Sequence, residues 1–142
     1  IAEVEVDTET GHVTIVNFVA AHDVGRVLNP LTLEGQVEGG TLMGIGWALT
    51  EAMIIKDGNI LNPNFLDYRV PTAMDTPKNF ENIFVESIDP NGPYGAKGIG
   101  EPAIDPTMAA VANAIFDATG VRINSIPIFP EDIVMALKKK NN

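Results

Sequence analysis

The chain has 142 residues, a formal net charge of −10, no cysteine and 45% hydrophobic residues. That is enough for one domain with a real core, and the composition is that of a globular protein, not a disordered one. The missing thiols exclude a disulfide scaffold, a thiolate metal site and an iron–sulfur cluster on this chain, and the acidic balance argues against nucleic acid or an anionic membrane as partner, both of which need basic patches.

Ile1, Val4 and Val6 alternate with Glu3, Glu5 and Asp7, the pattern of a half-buried strand. Thr8-Glu9-Thr10-Gly11 is a turn, and His12 to Ala20 returns as a second, more apolar strand. The two histidines, His12 and His22, have no spacing that suits a metal pair, so no metal ligand is expected from side chains. After the connection Ala21–Asn29, Asn29-Pro30 is an N-cap followed by proline at the first helical position, and it predicts a helix over Pro30–Leu49. That helix carries Gly35, Gly39, Gly40, Gly44 and Gly46. Each interior glycine costs roughly 1 kcal/mol relative to alanine. Close approach of another backbone or of a ligand is the expected compensation. Gln36 lies among these glycines and offers both donors and an acceptor; it reads either as a ligand contact or as an exposed helix glutamine.

A hairpin is predicted from Glu51–Ile55 and Asn59–Leu61 around Lys56-Asp57-Gly58, followed by an irregular stretch from Asn62 to Lys78 with three prolines. Tyr68 and Arg69 within it read as loop anchors or as partner contacts. Asn82–Ile88 is a predicted strand. Gly92 to Pro102 then places four glycines in nine residues and ends on Glu101-Pro102. Such a run can aim main-chain N–H groups at an anion. It is neither a dinucleotide fingerprint, since Gly95, Gly98 and Gly100 fall in the wrong order, nor a P-loop, since Lys97 is not followed by Ser or Thr. Glu101 is either an arbitrary surface acid or a carboxylate placed for reach, because glutamate is not a favoured cap. Asp105-Pro106 repeats the cap-plus-proline signal, with Asp105 as the expected cap of a helix over Pro106–Ala118 that Gly120 stops. Val121–Phe129 is extended, and a last helix runs from Pro130 to about Lys139, its lysines suited to the dipole at a helix end. Strands and helices are mixed without strict alternation, which gives the α+β class. No apolar run approaches a membrane span, no leader is visible and the first residue is Ile1, so residues 1–142 read as a single domain or a fragment, cytoplasmic if disulfide absence is a guide.

Tyr94-Gly95-Ala96-Lys97-Gly98-Ile99-Gly100-Glu101-Pro102 resembles the last cofactor-contacting segment of the molybdenum hydroxylases, the xanthine dehydrogenase and aldehyde oxidoreductase family. Gly35-Gln36-Val37-Glu38-Gly39-Gly40 with Gly44-Ile45-Gly46, and Asp23-Val24-Gly25-Arg26-Val27-Leu28-Asn29-Pro30, are similar to earlier segments of the same family, in the same order. The resemblance covers nearly all of this chain but only the C-terminal part of a much longer molybdenum-binding subunit. It implies a molybdenum–molybdopterin cofactor, with or without an attached cytosine dinucleotide, held by the pterin and not by protein ligands. Gln36, Gly39, Gly40, Lys97, Gly98, Ile99 and Gly100 would bind that cofactor. Glu101 would be the general base in the hydroxylation of an aromatic heterocycle (purine- or nicotinate-like) or an aldehyde, with water as the oxygen source. The implied partners are the rest of the subunit, iron–sulfur and flavin (FAD) domains or subunits that carry electrons away, and a small-molecule substrate. Neighbouring anionic groups would raise the pKa of such a base, and a helix N-terminus would lower it. Two other readings are a non-catalytic assembly subunit of such a complex and an unrelated acidic domain whose glycine loop binds phosphate.

Overall fold

The computed structural model describes residues 1–140. Strand β1 (Ala2–Val6) and strand β2 (Val13–Asp23) form the predicted hairpin, antiparallel, with a bulge between Glu3 and Val4. The turn between them is tied by the Asp7 carboxylate, which accepts from the Glu9 N–H and the Thr10 hydroxyl. These bonds hold Asp7 below the usual carboxylate range. β2 runs three residues further than its apolar pattern indicates, through Ala21 and His22 to Asp23.

Helix α1 occupies Pro30–Leu49, and its cap is the expected one: Asn29 accepts from the Thr32 N–H through its side chain. Strands β3 (Ile55–Lys56) and β4 (Asn59–Ile60) make a hairpin of two residues a side, shorter than expected. Asp57 and Gly58 both adopt positive φ there, the conformation that matches strand twist in a two-residue turn. In the irregular stretch, Tyr68 donates to Glu51 at 2.6 Å, so it anchors the loop to the end of α1, while Arg69 is exposed.

Strand β5 spans Asn79–Val85, beginning and ending three residues earlier than predicted. It pairs with β2 in parallel, giving a mixed sheet of order β1-β2-β5 with β2 in the centre. A parallel partner needs a long crossover, here the whole of Val24–Lys78. Phe18 of β2 and Phe80 of β5, opposite each other in that register, stack at 5.7 Å. Helix α2 (Asp105–Thr119) packs on β1 and α1, and α1 also packs on β5. Asp105 is not the cap of α2: Ile104 holds that place with no side-chain bond, because a turn closed by Ile104 N–H to the Glu101 carbonyl leads directly into the helix. Gly120 ends α2 in the left-handed conformation, as expected. Val121–Phe129 joins no sheet; its Ile128 N–H donates to the Ala48 carbonyl at 2.7 Å. Helix α3 (Pro130–Lys140) closes the core, and the Lys140 amine reaches the Thr119 carbonyl at the end of α2. Ile15, Phe18, Val37, Ile45, Val111, Ile115, Ile128 and Ile133 make one continuous core between the sheet and the helices.

Candidate cofactor and active site

The C-terminal end of β2 meets the glycine-rich loop. The Lys97 N–H donates to the Val24 carbonyl and the Arg26 N–H to the Gly95 carbonyl, each at 2.9 Å. Gly25, at φ 62, lies so close that a β-carbon there would stand 2.4 Å from the Gly95 carbonyl oxygen. No other residue fits at Gly25 without moving the loop. Within the loop, Pro93–Gly95 forms a single 3-10 turn, with Tyr94 held at φ 56 and 81% exposed.

Beyond Lys97 the backbone runs as a strap, Gly98-Ile99-Gly100-Glu101. Its N–H groups donate to no acceptor among the described residues. Three contacts fix it. The Lys97 amine pairs with Asp23 Oδ2 at 2.7 Å. The Ile99 side chain packs against the core. At the far end, Gln36 Nε2 donates to the Gly100 carbonyl at 2.5 Å, across 64 residues of sequence. The next residue, Glu101, is exposed, and its carboxylate has no hydrogen bond or ion pair among the described residues. Asp23 accepts from the Gly25 and Ser87 N–H groups on Oδ1 as well. The Lys97 ammonium, followed by the Gly25 N–H, holds the Asp23 carboxyl below its usual range.

The glycines of α1 divide into packed and open positions. A β-carbon on Gly40 would come within 2.9 Å of the Ala103 β-carbon, one on Gly44 within 2.6 Å of Thr107, and one on Gly46 within 2.1 Å of the Glu51 carboxylate. These three let the turn after Glu101, the first turn of α2 and the Glu51–Pro71 corner approach the helix. Around Gly35 and Gly39 nothing lies within 4 Å of such a carbon, and the same is true of Gly98 and Gly100 in the strap.

The structure therefore brings Gln36, Gly98, Ile99, Gly100 and Glu101 together, with Gly39 open on the same helix as Gln36. Gly40 is buried against Ala103 and serves packing. Lys97 turns its ammonium to Asp23 and its main-chain N–H to Val24, both inside the chain. Two positions outside the expected set adjoin these residues: Asp23, which sequence reading placed only in a matching segment and which pairs with Lys97, and Gly35, which is as open as Gly39. The i, i+4 spacing of Gly35 and Gly39 was the available signal. Unpaired main-chain donors, a neutral amide and four glycines with empty β-carbon positions are the chemistry that a flat, polar, phosphate-bearing pterin requires. Among the described residues no group of three or more His, Cys, Asp or Glu could hold a metal ion directly.

A family model described as the molybdopterin cofactor-binding domain matches residues 1–77. The chain belongs to this family. It is 50% identical over 131 residues to a putative xanthine dehydrogenase molybdenum-binding subunit of Escherichia coli (strain K12), covering 91% of this chain and 17% of that protein. It is 38% identical over 139 residues to the aldehyde oxidoreductase of Megalodesulfovibrio gigas, covering 96% of this chain and 15% of the relative. The crystal structure of quinoline 2-oxidoreductase from Pseudomonas putida 86 superposes with a TM-score of 0.89 at 36% identity, covering 96% of this chain and 18% of that one. The chain thus spans less than a fifth of the length of these relatives. No helix among the described residues is long and apolar enough to cross a membrane.

Proposed function

We propose that this chain is part of the molybdenum-binding subunit of a molybdopterin-dependent hydroxylase, with Glu101 as the general base. The observation that carries the proposal is the Gln36–Gly100 hydrogen bond. It joins the glycine-rich helix to the strap and leaves an unpartnered carboxylate at the strap's end. Gln36, Gly39 and the free N–H groups of Gly98, Ile99 and Gly100 hold the cofactor. Packing of Gly40 and the Lys97–Asp23 pair support that cradle from behind. When bound, the cofactor supplies two-electron oxidation of a carbon centre with oxygen from water. Glu101 accepts the proton released as that oxygen is delivered. An acceptor with no competing partner in its own chain is free to do this.

The substrate is a small molecule with an electron-poor carbon, of the aromatic-heterocycle or aldehyde type. The relatives' names span xanthine, quinoline and aldehydes while this segment stays similar. The choice among them therefore rests with residues outside this stretch. The remainder of the subunit is the first partner. Leu31, Phe65, Leu66 and Met74 are each at least 78% exposed, an apolar surface suited to burial against more protein. Iron–sulfur and flavin groups on other domains or subunits take the electrons.

The test is Glu101→Gln in the full-length subunit, assembled with its partners. Molybdenum content stays at the wild-type level, and turnover falls by at least about 100-fold, the usual contribution of a general base. Undiminished turnover with normal metal content overturns the assigned role. A well-folded wild-type complex that holds no molybdenum, from cells that make the cofactor, would establish instead the non-catalytic assembly subunit.

A further inference from the structure

Asp23 and Lys97 are 74 residues apart and both partly exposed, with side-chain accessibilities of 41% and 32%. An ion pair so accessible contributes little to folding. Its position is more telling than its strength. Lys97 is the last residue before the four unpaired N–H groups of the strap, and Asp23 is the last residue of the central strand. The carboxylate uses Oδ1 for the Gly25 and Ser87 N–H groups and Oδ2 for the lysine alone. It thus ties three segments at one point. Gln36 holds the other end of the strap at the Gly100 carbonyl.

We propose that Asp23 is a positioning residue: through Lys97 it fixes the entrance of the Gly98–Glu101 strap, as Gln36 fixes its exit, and so sets where the Glu101 carboxylate stands. The inference rests on the assignment of Glu101 as base. A strap anchored at both ends holds its terminal side chain in one place. Without the pair, the entrance is held only by the main-chain bond from the Lys97 N–H to the Val24 carbonyl, and the backbone beyond it samples positions that are wrong by an ångström or so, which is enough to slow a proton transfer substantially.

Two substitutions break only this link. Asp23→Asn keeps an oxygen for the Gly25 and Ser87 N–H groups but sets an amide donor against the lysine. Lys97→Met removes the amine and leaves Asp23 and its turn intact. In the full-length subunit, with rates normalised to molybdenum content, each lowers kcat about tenfold at unchanged KM. Each also speeds amide hydrogen exchange at Gly98–Glu101. The double variant is no worse than either single one, because both remove the same contact. Additive losses, or wild-type exchange and kcat in Lys97→Met, overturn the proposal. Should Asp23→Asn fail to fold, Lys97→Met decides it. Glu101→Gln is measured alongside. If that variant keeps its turnover the base assignment falls, while the exchange readout still reports whether Asp23 and Lys97 hold the strap.

Discussion

Helix α1 carries two pairs of glycines at identical spacing, Gly35 with Gly39 and Gly40 with Gly44. The second pair is filled by its own chain: Ala103, Ile104 and Thr107 press into it. A β-carbon on either member of the first pair would meet no packing partner within 4 Å among the described residues. A helical glycine costs the same roughly 1 kcal/mol wherever it sits. At Gly40 and Gly44 that cost is offset by close packing of the first turn of α2. At Gly35 and Gly39 no atom of the described residues offsets it. Under the proposed function, an open pair beside Gln36 marks the side on which the cofactor comes close. A packed pair marks the side on which the protein does.

The sharpest test of the open side is Glu101→Gln, at least about 100-fold in turnover with the metal retained. An equal loss of metal would mean that the carboxylate belongs to binding instead of proton transfer. On the packed side, Gly44→Val drives a branched side chain into Thr107, whose β-carbon lies only 2.6 Å from where a β-carbon on Gly44 would stand. Overpacking of this kind destabilises by about 1–3 kcal/mol or more. It is read as a lowered denaturation midpoint of the full-length subunit, and an unchanged midpoint would dissolve the distinction between the two pairs. Gly39→Ala works in the opposite direction. With no neighbour to meet, it stabilises the cofactor-free protein by about 1 kcal/mol, while cofactor content after assembly falls. A stable variant that loads normally would show that the open pair is not a ligand surface.

The smallest effect is electrostatic. Asp23 is held below its ordinary value of 3.8 by Lys97 and by the Gly25 N–H. A depressed carboxylate contributes stability that is fully present above its unfolded pKa and is lost as pH falls through the lower folded value. Wild type and Asp23→Asn are therefore expected to differ most above pH 3.8 and to converge below it, as read from denaturation midpoints across that range. Divergence that grows on acidification would mean that the pair does not set this carboxylate.

Local signals in this chain were read well where the cause is local. Asn29-Pro30 starts α1 because a side-chain acceptor and a fixed φ act on the next turn, and Gly120 ends α2 because a left-handed residue is needed there. Asp105-Pro106 carried the same signal and misled, since the turn from Glu101 already satisfies the backbone and leaves Asp105 nothing to cap. The parallel pairing of β5 with β2 was not legible, because a period of two shows that a strand has a face but not which strand lies beside it.

By itself the sequence determined the element types, the absence of side-chain metal ligands of the thiolate kind, and the residues from Gly98 to Glu101 as a candidate site. The first two follow from residue chemistry and short-range geometry, and the third from the resemblance of that segment to a known family. Only the tertiary structure decided which glycines are packed and which are open, that Lys97 turns inward to Asp23, and that Gln36 reaches Gly100. These depend on contacts across 64 and 74 residues, whose partners are chosen by the packing of α1, α2 and the central strand and leave no trace in local pattern.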